Sequence, residues 1–241
     1  MEHGADAIVV GRVDVGDADR VMRFLTADHG RLDLMARGAR TSRKRFGPAL
    51  ELGTRVFVVW RRGRGDLSSL DRCDAIAMPR RAREGYDRVV LLAYGCELAY
   101  ALSAAGQGNE KLFRLLLAWL DLLEADTEPG HAERVAFEAK ALTFSGLTPA
   151  LTRCAVCGEP LDGEVRFDPE AGGAVHLGCG PGKVVDATVL AVLDTLRRTA
   201  LADVGPIELP KAGRWLLADF VEHHHRARMR SRALLDTMEG A

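Results

Sequence analysis

Four soft ligands in two closely spaced pairs constrain this chain more than any other stretch. Cys154-Ala155-Val156-Cys157-Gly158 is followed by His176-Leu177-Gly178-Cys179-Gly180, with eighteen residues between Cys157 and His176. A two-residue spacer lets one tight turn aim both side chains of a pair at a single ion, and two such pairs fill a tetrahedral Zn²⁺ shell. Gly158 and Gly180, each directly after a cysteine, supply permissive backbone for those turns. Cys154, Cys157, His176 and Cys179 would occupy every ligand position, so the expected Zn²⁺ is structural and leaves no place for a catalytic water. The competing explanation is unrelated cysteines, or a disulfide with a stray thiol, and the paired spacing weighs against it. Cys73 and Cys96 sit in apolar stretches and are expected to be buried thiols.

The first third of the chain reads as short strands. Ala7–Val15 is a β-branched run that ends at the turn signal Gly16-Asp17-Ala18-Asp19. Val21–Thr26 follows, and Arg31–Ala36 alternates polar and apolar residues, the period of a half-buried strand. Thr54–Trp60 and Leu67–Ala77, joined through Gly63-Arg64-Gly65-Asp66, complete five strands, which fit an OB-type barrel. Met78-Pro79 breaks this pattern, and helical periods take over at 80–104, 110–125 (with Asn109 as N-cap), 129–145, 187–199 and 211–237. A short β-like piece lies at Glu164–Asp168. The expected architecture is therefore α+β and multidomain. It has a five-stranded OB-fold barrel over 1–79 and a helical domain over 80–241, interrupted at 150–184 by a zinc-finger insertion.

The net charge of −1 conceals a segregation. Residues 1–80 carry 15 Lys/Arg against 11 Asp/Glu, whereas 81–210 carry 12 against 19. Between Arg31 and Arg64 there are ten basic residues and two acidic ones, Asp33 and Glu51. The densest part, Arg37 to Arg45, has neither helical nor strand periodicity and reads as a loop on the barrel. Such a loop can neutralise phosphates, with counterion release supplying the binding energy. Phe46 and Trp60 are the nearest aromatics, although Trp60 lies in an apolar strand and is the better candidate for the core. A second basic row, Arg226, Arg228, Arg230 and Arg232, follows His223-His224-His225, and its spacing spreads it over several helix faces. No phosphate-binding lysine loop, nucleophile elbow or pair of carboxylates beside a base is visible, which argues against an enzyme. The acidic N-terminus has no secretory pattern, and apolar patches such as Leu115–Leu120 are too short for a membrane span. Together with the cysteine usage this points to a reducing cytosol and away from a membrane.

Several of these segments resemble the RecO family of bacterial recombination mediators. The similar segments are Ala7-Ile8-Val9-Val10, Asp17-Ala18-Asp19-Arg20, Phe24-Leu25-Thr26, His29-Gly30, Ala36-Arg37-Gly38-Ala39-Arg40 with Ser42-Arg43, the cysteine pairs with Gly172-Gly173 between them, and Arg230-Ser231-Arg232-Ala233-Leu234-Leu235. Their order is kept over nearly the whole chain. The resemblance implies an OB domain, a helical domain and a zinc finger. It implies a non-enzymatic activity in the bacterial cytoplasm, associated with the nucleoid: binding single- and double-stranded DNA, annealing complementary strands, and helping load RecA on strands coated by single-strand binding protein. The implied partners are RecR and the C-terminal tail of the coating protein. His176 stands where zinc-binding members usually carry Cys, a departure that imidazole tolerates. On this reading Arg37, Arg40, Arg43, Lys44 and Arg45 contact DNA phosphates, with Arg61, Arg62 and Arg64 in support. The alternative is a zinc-dependent, sequence-specific transcription regulator.

Overall fold

A computed structural model describes every residue except 1, 42–45, 63–66, 128, 206, 227 and 239–241. Five strands, β1 (Glu2–Val15), β2 (Asp19–Thr26), β3 (Gly30–Ala36), β4 (Arg55–Arg61) and β5 (Ser68–Ala77), close into a barrel in the order β1-β2-β3-β5-β4. All neighbours are antiparallel except β3 and β5, which pair in parallel. This is the OB arrangement expected from the sequence. β1 begins at Glu2, well before the β-branched run, because it serves two partners. Its residues Glu2–Ile8 pair with β4 and Ala7–Val15 with β2, with a register shift between Val9 and Gly11. A bulge there lets one strand turn from one side of the barrel to the other. Inward-facing Val9, Met22, Phe24, Leu34, Val56, Val58 and Leu70 fill the barrel, and Trp60 and Phe46 belong to the same core.

Gly30 shows why the β2–β3 turn needs glycine. It sits at φ +64°, and a Cβ there would lie 2.1 Å from the carbonyl oxygen of Ala104. Arg31 N–H donates to that oxygen at 3.2 Å, and Gly106 N–H donates to the His29 carbonyl at 3.0 Å. The segment after the first helix therefore closes against the barrel backbone to backbone.

By packing, residues 1–126 and 230–241 form one compact unit and residues 127–229 another. Besides the barrel, the first unit holds α1 (Tyr86–Ala101), α2 (Glu110–Glu124) and α6 (Arg230–Met238). α1 and α2 thus group with the barrel, whereas the division read from sequence falls at 79/80. Asn109 caps α2 as expected, its side chain accepting from Leu112 N–H at 3.0 Å. α1 and α2 approach closely at Gly95, where a Cβ would meet the Trp119 indole at 2.3 Å. Trp119 is fully buried and donates to Leu91 O at 3.2 Å, so the ring cannot move aside without losing that bond. Gly95→Ala is expected to cost about 1–3 kcal/mol by overpacking, read as a lower urea midpoint at unchanged slope.

The helix expected over 211–237 is broken. In the second unit, α5 (Leu216–His225) ends at Arg226, a left-handed residue at φ +54°. A new helix, α6, then starts in the first unit. The Glu97 carboxylate on α1 accepts from Arg230 N–H at 3.0 Å, Ser231 N–H at 2.9 Å and Ser231 Oγ at 2.5 Å. Amide donors committed to a carboxylate cannot continue a preceding helix, and a negative charge suits a helix N-terminus. The second basic row is scattered accordingly: Arg226 caps α5, Arg228 lies in the connection, and Arg230 and Arg232 are on α6.

The second unit is built on α3 (His131–Phe144), which is buried on nearly all sides by Val135, Ala136, Phe137, Ala139, Ala141 and Leu142. α4 (Ala187–Arg198) and α5 pack on it. Between α3 and α4 lies a sheet of three short antiparallel strands, β6 (Glu164–Asp168), β7 (Gly173–His176) and β8 (Lys183–Asp186), in the order β7-β6-β8. Only β6 was legible in sequence, because β7 and β8 are four residues each. Among the described residues, no helix is long and apolar enough to cross a membrane.

Candidate metal centre and nucleic-acid interface

Both cysteine pairs form tight turns. Gly158 N–H donates to Cys154 O at 2.9 Å and Cys179 N–H to His176 O at 2.9 Å. Gly158 adopts φ +78°, as the first turn requires. Gly180 does not take a left-handed φ, and in the second segment Gly182 does, at φ +129°. Cys154 is anchored to the sheet region, its N–H donating to Glu159 O and the next residue, Ala155, donating to Ala174 O of β7, both at 2.8 Å. β7 delivers His176 from the other side. Arg166 on β6 donates to the carbonyls of Leu177 and Gly180 (the latter at 3.1 Å), which holds the second turn.

The result is one cluster. The ligand atoms of Cys154, Cys157, His176 and Cys179 all lie within 4.8 Å of one another and could hold a metal ion. His176 Nδ1 faces the sulfurs, 3.4 Å from Cys157 Sγ and 3.8 Å from Cys179 Sγ. Its Nε2–H donates to Pro160 O at 3.0 Å, which fixes the tautomer with Nδ1 free to ligate. Burial raises the Cys154 thiol, but backbone N–H groups of Cys157, His176 and Val156 outweigh it and bring the group down to about 6. Cys179 is pushed up to about 11, by burial and then by the neighbouring Cys157 and Cys154. Crowded sulfurs cannot all ionise unaided, and a divalent cation among them removes that repulsion. Cys73 and Cys96, by contrast, are buried in apolar surroundings that push both to about 12.

The arginines expected to meet DNA fall into separate places. Arg37 and Arg40 are exposed in the turns after β3, which are tied to the β1–β2 turn. Gly38 N–H donates to Asp19 Oδ1 at 2.7 Å, and Arg40 N–H donates to Ala18 O at 3.0 Å. The Arg40 guanidinium donates to Gly16 O and lies 3.6 Å from Asp14, whose carboxyl is held below its usual range by Arg20. Arg61 and Arg62 are exposed at the far end of the barrel, since Arg61 pairs in register with Glu2 while Asp14 and Gly16 lie at the other end of β1. Arg61 makes a two-point bond to Asp71, at 2.5 and 3.1 Å. Arg43, Lys44, Arg45 and Arg64 lie outside the described residues. Phe46 and Trp60 are each 6% exposed, which removes both from the open surface.

Two features escaped sequence reasoning. Arg23 and Arg31, on β2 and β3, bracket the Tyr100 ring at 4.8 and 5.3 Å, and the Tyr100 hydroxyl donates to Asp33 at 2.8 Å. His3 and His29 both pack on Trp60. No local pattern signals either group, because the packing of α1 on the barrel assembles the first and barrel closure the second.

Known proteins match this chain along nearly its whole length. A family profile described as "Recombination protein O N terminal" matches residues 1–79, and one described as "Recombination protein O C terminal" matches 83–233. Similar proteins include the DNA repair protein RecO of Anaeromyxobacter sp. strain K, 41% identical with 95% of this chain and 94% of the relative covered. The protein of the same description from Myxococcus xanthus is 36% identical, with 94% and 93% covered, and that of Symbiobacterium thermophilum is 31% identical, with 99% and 98% covered. The barrel, the helices and the four-ligand segment all fall within these matches, and the chain belongs to the RecO family of recombination and DNA repair proteins.

Proposed function

We propose that this chain is a non-enzymatic DNA-binding mediator of recombinational repair. In this reading the barrel, residues 1–79, binds single- and double-stranded DNA, anneals complementary strands, and assists RecA loading on strands coated by single-strand binding protein. It acts in the bacterial cytoplasm with RecR and with the C-terminal tail of the coating protein. The observation that carries the reading is the closed barrel bearing the densest basic segment of a near-neutral chain, in a family whose relatives are named for DNA repair. Arg37, Arg40, Arg43, Lys44 and Arg45 are assigned to phosphates, with Arg61, Arg62 and Arg64 in support. Shielding the phosphates of two strands with these cations weakens the strands' mutual repulsion, which favours annealing. Asp14 and Asp71 hold Arg40 and Arg61 in place, and a phosphate displaces or shares those partners.

The metal is assigned as Zn²⁺ on donor chemistry. A tetrahedral centre with bonds of about 2.3 Å spans about 3.8 Å between ligand atoms, close to the His176–sulfur separations. Three thiolates and an imidazole leave no open position, so the ion staples the inserted sheet.

The test is binding and annealing by the double variant Arg40→Glu/Arg43→Glu. Affinity for single strands is expected to fall about tenfold at low salt, and the salt slope to flatten by about 0.7 for each phosphate that is no longer neutralised. Annealing of coated complementary strands should fall in parallel. Unchanged affinity and slope would sink the assignment. A strong preference for one duplex sequence over unrelated oligonucleotides would identify a transcription regulator instead.

A further inference from the structure

The barrel is not evenly closed. Among the described residues β3 and β5 pair only at Leu34↔Ser68 and Met35↔Ser69, and nearer the start of β3 the edge is bridged instead by Ala105, at Gly30 and Arg31. A cleft of about 480 Å³ opens at this seam, lined by His3, His29, Arg31, Asp33, Trp60 and Ser68. Its aromatic wall is preassembled: His3 stacks on Trp60 at 5.6 Å with planes 24° apart, and His29 meets Trp60 edge-on at 5.4 Å and 87°. Its polar wall is fixed too, because Tyr100 lies against the Arg31 guanidinium at 5.3 Å and bonds the Asp33 carboxylate at 2.8 Å.

This lining selects a class of ligand. The His3 and His29 rings, backed by Trp60, offer stacking surface to a flat heterocycle. Arg31 donates, Asp33 accepts and Ser68 does either, which matches a base edge carrying both donors and acceptors. The Asp33 carboxylate would repel a phosphate in the same place but not an uncharged ring. Cations for the flanking backbone lie just outside, since Arg61 and exposed Arg62 directly follow Trp60.

We infer that the β3–β5 seam is a base-insertion cleft, taking one unstacked nucleobase from a strand whose phosphates run past the cations at the end of β4. The inference rests on the barrel binding nucleic acid, and it adds a readout that charge alone does not produce. Base insertion makes affinity depend on the presence of bases, while phosphate contacts are indifferent to them.

The experiment compares a labelled oligodeoxycytidine with an abasic oligomer of equal length, by fluorescence anisotropy on the full-length, zinc-loaded protein. The wild type should bind the base-bearing strand about tenfold more tightly, the scale of one base–aromatic stack. His3→Ala/His29→Ala should bring that ratio close to one while leaving abasic affinity unchanged. Ser68→Tyr, which fills the cleft from β5 while keeping both histidines, should do the same and guards against a folding defect in the histidine variant. Equal binding of both oligomers by the wild type overturns the cleft and leaves phosphate binding by the barrel intact. A base-dependent ratio unmoved by either variant also overturns it, because stacking then occurs elsewhere. If neither oligomer binds, the barrel reading fails and the cleft fails with it.

Discussion

Cys154→Ser is expected to reduce bound zinc from about one ion per chain to none and to destabilise the second compact unit by several kcal/mol. Cys154 is the one buried ligand of the four, and three backbone N–H groups converge on its sulfur. A serine oxygen neither ionises in that setting nor offers a soft donor. Metal contributes roughly 10–16 kcal/mol to the folding of minimal zinc fingers. Here the loss should be smaller, on the order of 3–5 kcal/mol, because the sheet also buries Val165, Phe167, Ala174 and Val175. Elemental analysis and urea unfolding read the two effects. DNA affinity should stay within about twofold of wild type, since phosphate contacts dominate such binding and the assigned arginines belong to the other unit. A variant that retains its zinc would refute the four-ligand site, and a large loss of DNA affinity would show that the zinc segment does more than hold its sheet.

Glu138→Gln should produce a loss of similar size by a different route. Arg134 and Glu138, one turn apart on α3, are fully buried and bonded at 2.5 Å. The same guanidinium donates to Arg214 O at 3.0 Å and lies 4.4 Å over the Trp215 ring. Removing the carboxylate charge strands a guanidinium in a low-dielectric interior, which typically costs about 3–5 kcal/mol. The double replacement Arg134→Met/Glu138→Leu should recover much of that loss, because it removes the buried charges together. Urea unfolding of the two variants side by side decides the matter. Equal stability of Glu138→Gln and wild type would mean that water or another acceptor already satisfies the Arg134 guanidinium.

These two sites differ in how far the sequence revealed them. The spacing of Cys154, Cys157, His176 and Cys179 was enough to name every member of the cluster. Nothing in the local sequence distinguishes Arg134 and Glu138 from a pair one turn apart on an exposed helix face, and only the packing of α4 and α5 over α3 buries them. The basic segment was legible as charge. Its geometry was not: Arg40 is tied to Asp14 and Gly16, and Arg61 sits at the opposite end of β1.

By itself, the sequence determined what depends on near neighbours. β-branched runs, turn signals and one alternating stretch set five strands, three- and four-residue periods set the helices, Asn109 set a cap, and paired spacing set the ligand turns. Tertiary structure alone decided what depends on closure. It ran β1 back to Glu2 so that one strand could join two partners, and it divided the last helical pattern once Glu97 captured the amides of Arg230 and Ser231. It also opened the β3–β5 seam and drew His3, His29 and Trp60 to its edge. Local periodicity reports which way a side chain points from its own strand or helix. Which distant residue it meets is set by barrel register and backbone hydrogen bonding, and these exist only when the whole chain has closed.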